Sequence, residues 1–312
     1  MNKNKKIIIT GGAGFLGSHL VDYFLKQGFP QKNLFIPLSQ NFDLRTKKDI
    51  EKMFAQFQAD MVIHLAANVG GIGYNQKYPG QLFYDNLKMG TELMEQARRN
   101  EVEKFASIGT VCAYPKITPV PFKEKDLWSG YPEETNAPYG LAKKMQLVQG
   151  QAYRQQYGFN AIYLLPVNFY GPGDDYDPEN SHVIPALIRK VYLAKKQNKP
   201  KITAWGTGSA SREFLYIKDA AKGIYLAAEK YNKPEPVNLG SGREITIKEL
   251  IELIVELMDY SGEIVWDTSK PDGQPRRCLD TSRAEKEFGF KAETGFRQGL
   301  RETIDSYLED WE

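Results

Sequence analysis

Cysteine and histidine are scarce in this chain of 312 residues, which contains two cysteines and three histidines. Cys112 and Cys278 are too few for a disulfide framework, and no cysteines and histidines have the spacing of a zinc site. This excludes the small disulfide-rich and zinc-stabilised classes, and we expect no metal centre. Free thiols fit a reducing compartment, so we expect a cytoplasmic protein.

Charge of one sign and long hydrophobic runs are also lacking. The formal net charge is +2 and neither end carries an acidic or basic tail, which argues against a nucleic-acid partner. The apolar run near the N-terminus is three isoleucines long, too short for a signal peptide or a membrane span. With 41% hydrophobic and 26% charged residues, the composition is that of a folded globular protein.

Strand patterns alternate with helix patterns over the first 170 residues. The strand patterns are KKIIIT, NLFIPL, ADMVIHLAA, KFASIGT and NAIYLLPVNFYGP. This alternation predicts an α/β fold, with a Rossmann-type, doubly wound parallel sheet in residues 1–170. The alternation weakens after YGPGDD, so residues 171–312 are expected to form mainly a smaller C-terminal substrate-binding lobe. One segment, about residues 212–240, is expected to return to the Rossmann domain.

A glycine-rich loop joins the first strand to the first helix. In TGGAGFLGS, residues 11, 12, 14 and 17 are glycines, which satisfies both G-x-G-x-x-G and G-x-x-G-x-x-G. Small residues let the backbone approach a pyrophosphate at the N-terminus of the helix. Because the loop lies directly between a strand and a helix, it favours dinucleotide binding over a plain turn.

The end of the second strand leaves the choice between NAD and NADP open. An acidic residue there would bind the adenosine ribose hydroxyls, but residues 37–40 read PLSQ. This stretch has no carboxylate to repel the 2′-phosphate of NADP, and no arginine to hold it.

Tyr139 and Lys143 are four residues apart in YGLAK, so their side chains share one face of a helix. Two other tyrosine–lysine pairs have this spacing, but only Tyr139 opens a helix that follows a strand ending in a hydroxyl residue, Thr110. An ammonium beside a phenol stabilises the phenolate. We therefore expect Lys143 to lower the pKa of Tyr139, making it a usable acid or base near neutral pH.

Several motifs resemble the extended short-chain dehydrogenase/reductase family, also called the NAD-dependent epimerase/dehydratase family. They are TGGAGFLG, DL at Asp43, VIHLAA, Thr110, YGLAK, LLPVNFYGP and REFLYIKDAA, in the family's order over nearly the whole chain. Further motifs resemble those members that epimerise and reduce GDP-linked 4-keto-6-deoxy sugars: NVGGIGYN, CAYPK, ETNAPYGLAK, NSHVIPALIRK and WGTGSASREFLY. The resemblance implies NAD or NADP as cofactor, with NADP favoured, a nucleotide-sugar substrate carrying GDP, and a homodimer built by two helices of each subunit.

The resemblance also implies roles for individual side chains. Thr110 would hydrogen-bond the reacting sugar oxygen, and Cys112 and His182 would be the acid and base of epimerisation. Tyr139, supported by Lys143, would donate the proton during reduction. The residues implied for cofactor binding are Gly11, Gly14, Phe15, Leu16, Gly17, Asp43, Leu44, Leu65, Ala66, Ala67, Lys143 and Pro166. Those implied for substrate binding are Asn168, His182, Lys190, Trp205 and Arg212.

Each assignment has a structural alternative. Cys112 is alternatively a small buried hydrophobe and His182 a helix cap or surface residue. Trp205 is alternatively a filler of the smaller lobe, and Arg212 a partner in a surface ion pair. Lys190 lies in a helix whose polar face would carry lysines in any case.

The chain departs from the family's usual Gly-Ser-Ser-Cys-Ile-Tyr-Pro run at Val111 and Ala113, which leaves the identity of the sugar open. The rival hypotheses are an enzyme with only the epimerase or only the reductase activity, and a catalytically silent dinucleotide-binding sensor. The intact tyrosine–lysine pair argues against the sensor. His19 and His64 are expected to be structural.

Overall fold

The computed structural model describes residues 1–178, 181–270 and 272–311. In chain order, its strands are β1 (Ile7–Thr10), β2 (Leu34–Phe35), β3 (Met61–His64), β4 (Lys104–Ile108), β5 (Ala161–Pro166), β6 (Asn168–Tyr170), β7 (Lys201–Trp205), β8 (Ser211–Tyr216), β9 (Val237–Leu239), β10 (Glu244–Thr246) and β11 (Glu263–Asp267). Its helices are α1 (Phe15–Lys26), α2 (Lys47–Gln56), α3 (Ile72–Lys77), α4 (Pro79–Arg99), α5 (Ala137–Tyr157), α6 (Val183–Lys196), α7 (Ile217–Lys230), α8 (Ile247–Leu257), α9 (Ser282–Phe288) and α10 (Phe296–Trp311). None of the helices in these residues is long and apolar enough to cross a membrane.

A six-stranded parallel sheet forms the larger layer, in the order β2-β1-β3-β4-β5-β9. Its central strands are buried throughout, as a parallel sheet between two layers of helices requires. Helices α1 and α7 pack together on one face, α2 and α4 cover the other, and α5 lies beside α4. The predicted α/β fold with a doubly wound, Rossmann-type sheet is confirmed.

The register of this sheet brings the loops of three strands to one edge. Thr10 at the end of β1 pairs with His64 at the end of β3, and His64 pairs with Ser107 of β4. The loops that follow these strands therefore open at the carboxyl edge of the sheet, where open α/β sheets bind ligands.

Proline shortens two of the predicted strands. The strand expected in NLFIPL is only Leu34–Phe35 and ends two residues before Pro37. The single strand expected in NAIYLLPVNFYGP is two strands, since β5 ends at Pro166 in the parallel sheet and β6 begins at Asn168 in a different sheet. A proline cannot donate the hydrogen bond that a central strand needs, so the prediction of one continuous strand was wrong.

Two smaller sheets lie beyond this break, in the orders β10-β8-β6 and β11-β7. Together with α6, α8 and α10 they enclose a second apolar core. The chain returns to the large sheet after β8, because α7 packs on α1 and β9 is an edge strand of the parallel sheet. The domain boundary at residue 170 and the start of the returning segment stay predictions.

Candidate active site

One cleft of about 2380 Å³ lies at the carboxyl edge of the parallel sheet and extends to the smaller sheets. Every predicted site residue lines this cleft, although their individual roles remain predictions. They are Gly11, Gly14, Phe15, Leu16, Gly17, Asp43, Leu44, Leu65, Ala66, Ala67, Thr110, Cys112, Tyr139, Lys143, Pro166, Asn168, His182, Lys190, Trp205 and Arg212. The fold thus collects residues that are up to two hundred positions apart into one space.

The glycine loop forms the cofactor end of the cleft. A Cβ atom on Gly17 would lie 2.0 Å from the carbonyl oxygen of Gly11, so only glycine lets α1 approach the loop this closely. Helix α1 begins after Gly14, and no side chain caps its first N–H groups. Uncapped N–H groups at the N-terminus of a helix form an anion site. The residues present therefore fit the pyrophosphate of a dinucleotide.

The adenosine end of the cleft contains an arginine that the sequence analysis missed. Arg45 lines it together with Ser39 and Gln40, but its guanidinium is paired with Asp43 at 2.9 Å and lies 3.7 Å from Asp85. The hydrogen bond from Arg45 lowers the pKa of Asp43. The sequence signal for this arginine is its position two residues after Asp43.

Tyr139 and Lys143 project from the first two turns of α5. A Cβ on Gly140 would lie 2.4 Å from the carbonyl oxygen of Cys112, so α5 packs directly on the loop that carries Thr110 and Cys112. The hydroxyl of Thr110 accepts a hydrogen bond from the backbone N–H of Cys112 at 3.2 Å and is also hydrogen-bonded to Tyr139. The structure therefore brings the predicted hydroxyl, phenol and ammonium groups to one wall.

The electrostatics of this cluster differ from the sequence-based expectation. Burial lowers the pKa of Lys143 to about 8. The pKa of Tyr139 is raised rather than lowered, first by burial and then by the neighbouring Cys112, while the hydrogen bond with Thr110 opposes both. The expectation of a lowered pKa for Tyr139 was wrong, because desolvation of the phenolate is the largest contribution.

Cys112 lies between an amide and a guanidinium. Its thiol donates towards the side-chain oxygen of Asn136 at 3.8 Å, and Nη1 of Arg277 donates to its sulfur, also at 3.8 Å. The amide nitrogen of Asn136 donates to Glu133. Burial raises the pKa of Glu133, but hydrogen bonds from Thr135 and Asn136 outweigh it, so the pKa is lowered overall. Cys112 is half-buried and lines the cleft wall. A cysteine that served only as a small core residue would be fully buried, so this position argues against that alternative.

His182 is the N-cap residue of α6 and lines the cleft. Its side chain makes no capping hydrogen bond, so the alternative of a helix cap is wrong. The His182 side chain is exposed, so the alternative of a surface residue stands. Neighbouring groups partly desolvate the imidazole and lower its pKa, and the nearby Asp175 acts in the opposite direction. His19 and His64 have partners instead: Nε2 of His19 bonds the carbonyl of Pro172, and Nδ1 of His64 bonds the Thr10 hydroxyl, each at 2.8 Å.

The end of the cleft that contains the predicted substrate-binding residues, which we call the substrate end, carries the positive charges of Arg212 and Lys190. Arg212 donates to the carbonyl oxygens of Ser211 at 2.7 Å and Gln274 at 2.6 Å, and burial lowers its pKa to about 10. Nζ of Lys190 donates to the carbonyl of Thr203 at 2.7 Å. Within the described residues, the hydrogen bonds of Arg212 and Lys190 go to neutral carbonyl groups and neither side chain forms an ion pair, so their charge is available to an anion.

Trp205 and Asn168 complete the substrate end. Trp205 is 68% exposed and lines the cleft, which rules out the alternative that it fills the smaller lobe. Asn168 is the first residue of β6, so the strand break after Pro166 is what carries it away from the parallel sheet. Arg277, Asn136 and Arg45 are among the lining residues that sequence reasoning missed, and of these Asn136 lay in the quoted motif ETNAPYGLAK.

A dinucleotide-type glycine loop, a tyrosine–lysine pair and a cationic pocket facing one cleft define an extended short-chain dehydrogenase/reductase. The chain belongs to the NAD dependent epimerase/dehydratase family, whose sequence profile matches residues 7–240. The predicted family and enzyme class, an NAD(P)-dependent nucleotide-sugar epimerase/reductase family enzyme, are confirmed.

Three known proteins show how far the similarity extends. The chain is 40% identical over 309 residues to GDP-L-fucose synthase 1 of Arabidopsis thaliana, covering 99% of this chain and 95% of that protein. It superposes on a GDP-6-OMe-4-keto-L-xylo-heptose reductase from C. jejuni with a TM-score of 0.93, 27% identity and 99% coverage of both chains. A GDP-L-fucose synthetase from Naegleria fowleri bound to NADP matches with a TM-score of 0.90 and 27% identity, covering 100% of this chain and 96% of that one.

Proposed function

We propose that this protein is a GDP-L-fucose synthase-like enzyme, which inverts C3 and C5 of a GDP-linked 4-keto-6-deoxy sugar and then reduces C4. The observation that carries the proposal is the presence of two sets of acid–base groups in one cleft. Cys112 and His182 form the first set, and Tyr139 with Lys143 forms the second. The 40% identity to a GDP-L-fucose synthase over nearly the full length supports the choice of substrate.

The first set suits epimerisation. A ketone at C4 acidifies the protons on C3 and C5, because the electrons of the broken C–H bond pass to the ketone oxygen as an enolate. Inversion then requires a base on one face of the sugar and an acid on the other. Cys112 as a thiolate removes the proton and His182 returns one from the opposite side. Thr110 hydrogen-bonds the sugar oxygen.

The second set suits reduction. The nicotinamide cofactor supplies the hydride when it is bound. Tyr139 donates its phenolic proton to the C4 oxygen, and Lys143, one helical turn further along α5, stabilises the phenolate that remains. Burial favours the neutral phenol in this cleft, so Tyr139 holds its proton until an oxyanion develops beside it.

We also propose that NADP(H) is the preferred cofactor. The end of β2 is followed in the cleft by the neutral side chains of Ser39 and Gln40, which do not repel a 2′-phosphate. The similarity to a structure bound to NADP supports the same choice. A ratio of kcat/KM for NADPH over NADH below one would contradict it.

We propose a homodimer built on α4 and α5 in the cytoplasm. Apolar side chains on the outer faces of these helices are exposed, at 41% for Phe83, 61% for Tyr84 and 43% for Val148. Exposed apolar patches of this kind favour contact with another protein surface. Val148→Glu should give a monomer by sedimentation, whereas Leu25→Glu, on the exposed side of α1, should not. A wild-type monomer at micromolar concentration would contradict the proposal.

The test of the function is incubation with GDP-4-keto-6-deoxymannose in deuterated water, with NADPH or NADH. Oxidation of the cofactor, followed at 340 nm, and deuterium at C3 and C5 of the product, detected by NMR, are expected. Cys112→Ser should lose the deuterium exchange, and exchange at the wild-type rate would remove the epimerase half of the proposal.

A reductase with no epimerase activity is the second candidate. It is favoured by the similarity to the C. jejuni heptose reductase and by the replacement of two family residues around the cysteine by Val111 and Ala113. Oxidation of the cofactor without deuterium at C3 and C5 would identify this activity. Deuterium without net oxidation would identify a pure epimerase.

A further inference from the structure

Arg277 approaches Cys112 from a distant part of the chain. Its Nη1 donates to the sulfur at 3.8 Å, although the two residues are 165 positions apart. The loop that carries Arg277 is fastened to β8, since the N–H of Ser211 bonds the carbonyl of Pro275 at 2.9 Å and the N–H of Glu213 bonds the carbonyl of Arg277 at 3.1 Å. The guanidinium is therefore held by the fold rather than by a chance surface contact.

The side chain of Gln274 fixes the direction of this guanidinium. Its Oε1 accepts from Nε of Arg277 at 3.0 Å and also from Nη2. Its amide nitrogen donates to the carbonyl of Lys116 at 2.8 Å, on the segment that follows Cys112. Two of the three guanidinium nitrogens are thus occupied by a neutral amide, which leaves Nη1 directed at the sulfur. No carboxylate of the described residues forms an ion pair with this guanidinium.

The opposite side of the sulfur is different in kind. Asn136 presents its amide oxygen there at 3.8 Å, and an oxygen can accept only from the protonated thiol. An arginine can only donate, which favours the thiolate. Other titratable groups near this part of the cleft include Tyr139, whose pKa Cys112 influences, and Glu133, which is hydrogen-bonded to the Asn136 amide. Arg212 is a further one, since the charge of Arg277 lowers its pKa, and Lys116 also lines the cleft.

We infer that Arg277 is a positioning residue that stabilises the thiolate of Cys112, while Asn136 accepts the hydrogen bond of the thiol form. In the step this serves, the sulfur takes a proton from the carbon beside the ketone. The C–H bond breaks, an S–H bond forms, and the electron pair moves to the ketone oxygen as an enolate. The cysteine therefore has one partner for each of its two protonation states. The assignment rests on the proposed function for its catalytic consequence, but the state of the thiol can be measured without substrate.

The experiment is the rate of alkylation of Cys112 by iodoacetamide as a function of pH, because only the thiolate reacts. Peptide mass spectrometry separates this site from Cys278, which is buried and whose pKa is raised to about 12 by burial and by Glu213. In Arg277→Gln, the midpoint of the profile should move up by about one pH unit or more, so that alkylation at pH 7 slows about tenfold. An unchanged midpoint would overturn the proposal.

Two further variants distinguish charge from structural support. Arg277→Lys keeps the positive charge and should restore at least half of the shift. If the midpoint in Arg277→Lys equals that in Arg277→Gln, the shift comes from the loss of a structural contact and not from the loss of positive charge. The proposal is then overturned. Gln274→Ala keeps the arginine but removes the hydrogen bonds that orient its guanidinium. It should therefore raise the midpoint of the alkylation profile by less than Arg277→Gln does. This variant tests the proposal if Arg277→Gln does not fold.

The catalytic consequence is read separately. Deuterium exchange at C3 and C5 should fall at least about tenfold at pH 7 in Arg277→Gln, with the affinity for NADPH unchanged. If the wild-type enzyme exchanges no protons with this substrate, the proposed function fails, while the alkylation profile still decides the role of Arg277. If the wild type exchanges and the variant exchanges equally fast, the role of Arg277 fails alone.

Discussion

The two ends of the cleft are built from different parts of the polypeptide. The cofactor end uses backbone N–H groups and the absence of side chains, as at Gly17, where a methyl group would meet the carbonyl of Gly11. The substrate end uses charged and reactive side chains from separate segments, among them Cys112, His182 and Arg277. A site formed by backbone groups can therefore be recognised from one contiguous sequence motif. A site formed by side chains from separate segments can be recognised only in the folded structure.

Tyr139 lines the same cleft, and the removal of its hydroxyl should have the largest effect on activity. Tyr139→Phe removes the proposed proton donor for the C4 oxygen, so kcat for reduction should fall roughly 10²- to 10⁴-fold. Binding of NADPH and of GDP should be unchanged, because the ring stays in place. Steady-state kinetics and fluorescence titration measure these quantities. Tyr84→Phe, an exposed tyrosine at the same spacing from a lysine, is the control, and a loss of less than tenfold in Tyr139→Phe would contradict the assignment.

Arg212 tests the substrate end alone. Its guanidinium is half-buried, and its hydrogen bonds within the described residues go to backbone carbonyl oxygens, so its removal should weaken binding of GDP by roughly 10- to 100-fold. Arg212→Gln should leave the affinity for NADPH unchanged. Calorimetric titration with both ligands measures the difference. Arg276→Gln, which removes an exposed arginine paired with Glu244, should affect neither, and equal losses for both ligands in Arg212→Gln would break the separation.

Gly17 provides the reverse test at the cofactor end. A Cβ at this position forces α1 away from the glycine loop, so Gly17→Ala should raise the Kd of NADPH by roughly tenfold. The affinity for GDP should stay at the wild-type value. Gly80→Ala is the matched control, since a Cβ built there meets no heavy atom within 4 Å among the described residues, apart from its chain neighbours and the adjacent backbone of its own helix. NADPH binding at the wild-type level would show that the close approach is unnecessary.

The same contrast explains what could be predicted from the sequence. The α/β fold and the family follow from local patterns, namely the alternation of strands and helices, the glycine loop and YGLAK. The division of NAIYLLPVNFYGP at Pro166 was missed because apolar periodicity continues through the proline. Arg277 was missed because its contact with Cys112, 165 positions away, is recorded in no local pattern. The pairing of Arg45 with Asp43 did leave a local signal, the separation of two residues, which was overlooked. The pKa of Tyr139 was misjudged since burial cannot be read from a spacing of four residues.

Each half of the molecule also contains a titratable group that is costly to charge, and the two costs depend on pH in opposite directions. In the Rossmann half, Lys104 is 5% exposed, and burial followed by repulsion from Lys5 and Arg154 lowers its pKa to about 7. At the substrate end, burial raises the pKa of Asp174 to about 7, and its Oδ2 has no hydrogen-bond partner in the described residues. Both groups should destabilise the fold in their charged forms.

The sign of each effect follows from proton binding. An unfolded lysine holds its proton up to about pH 10, whereas folded Lys104 holds it only below about pH 7. Lys104 therefore destabilises the folded state fully below pH 7, and this destabilisation decreases as the pH rises above 7. Unfolded aspartate loses its proton near pH 4 and folded Asp174 near pH 7. The destabilisation of the folded state by Asp174 therefore grows as the pH rises from 4 to 7 and is complete above 7.

Neutral variants should therefore stabilise the protein at opposite ends of the pH scale. Lys104→Met should raise Tm by roughly 2–4 °C at pH 6, with the gain fading towards pH 9. Asp174→Asn should give a similar gain at pH 8 that fades towards pH 5. Thermal unfolding of both variants and the wild type across this range measures the trends. If the increases in Tm of the two variants had the same pH dependence, they would arise from changed packing and not from the removal of a charge.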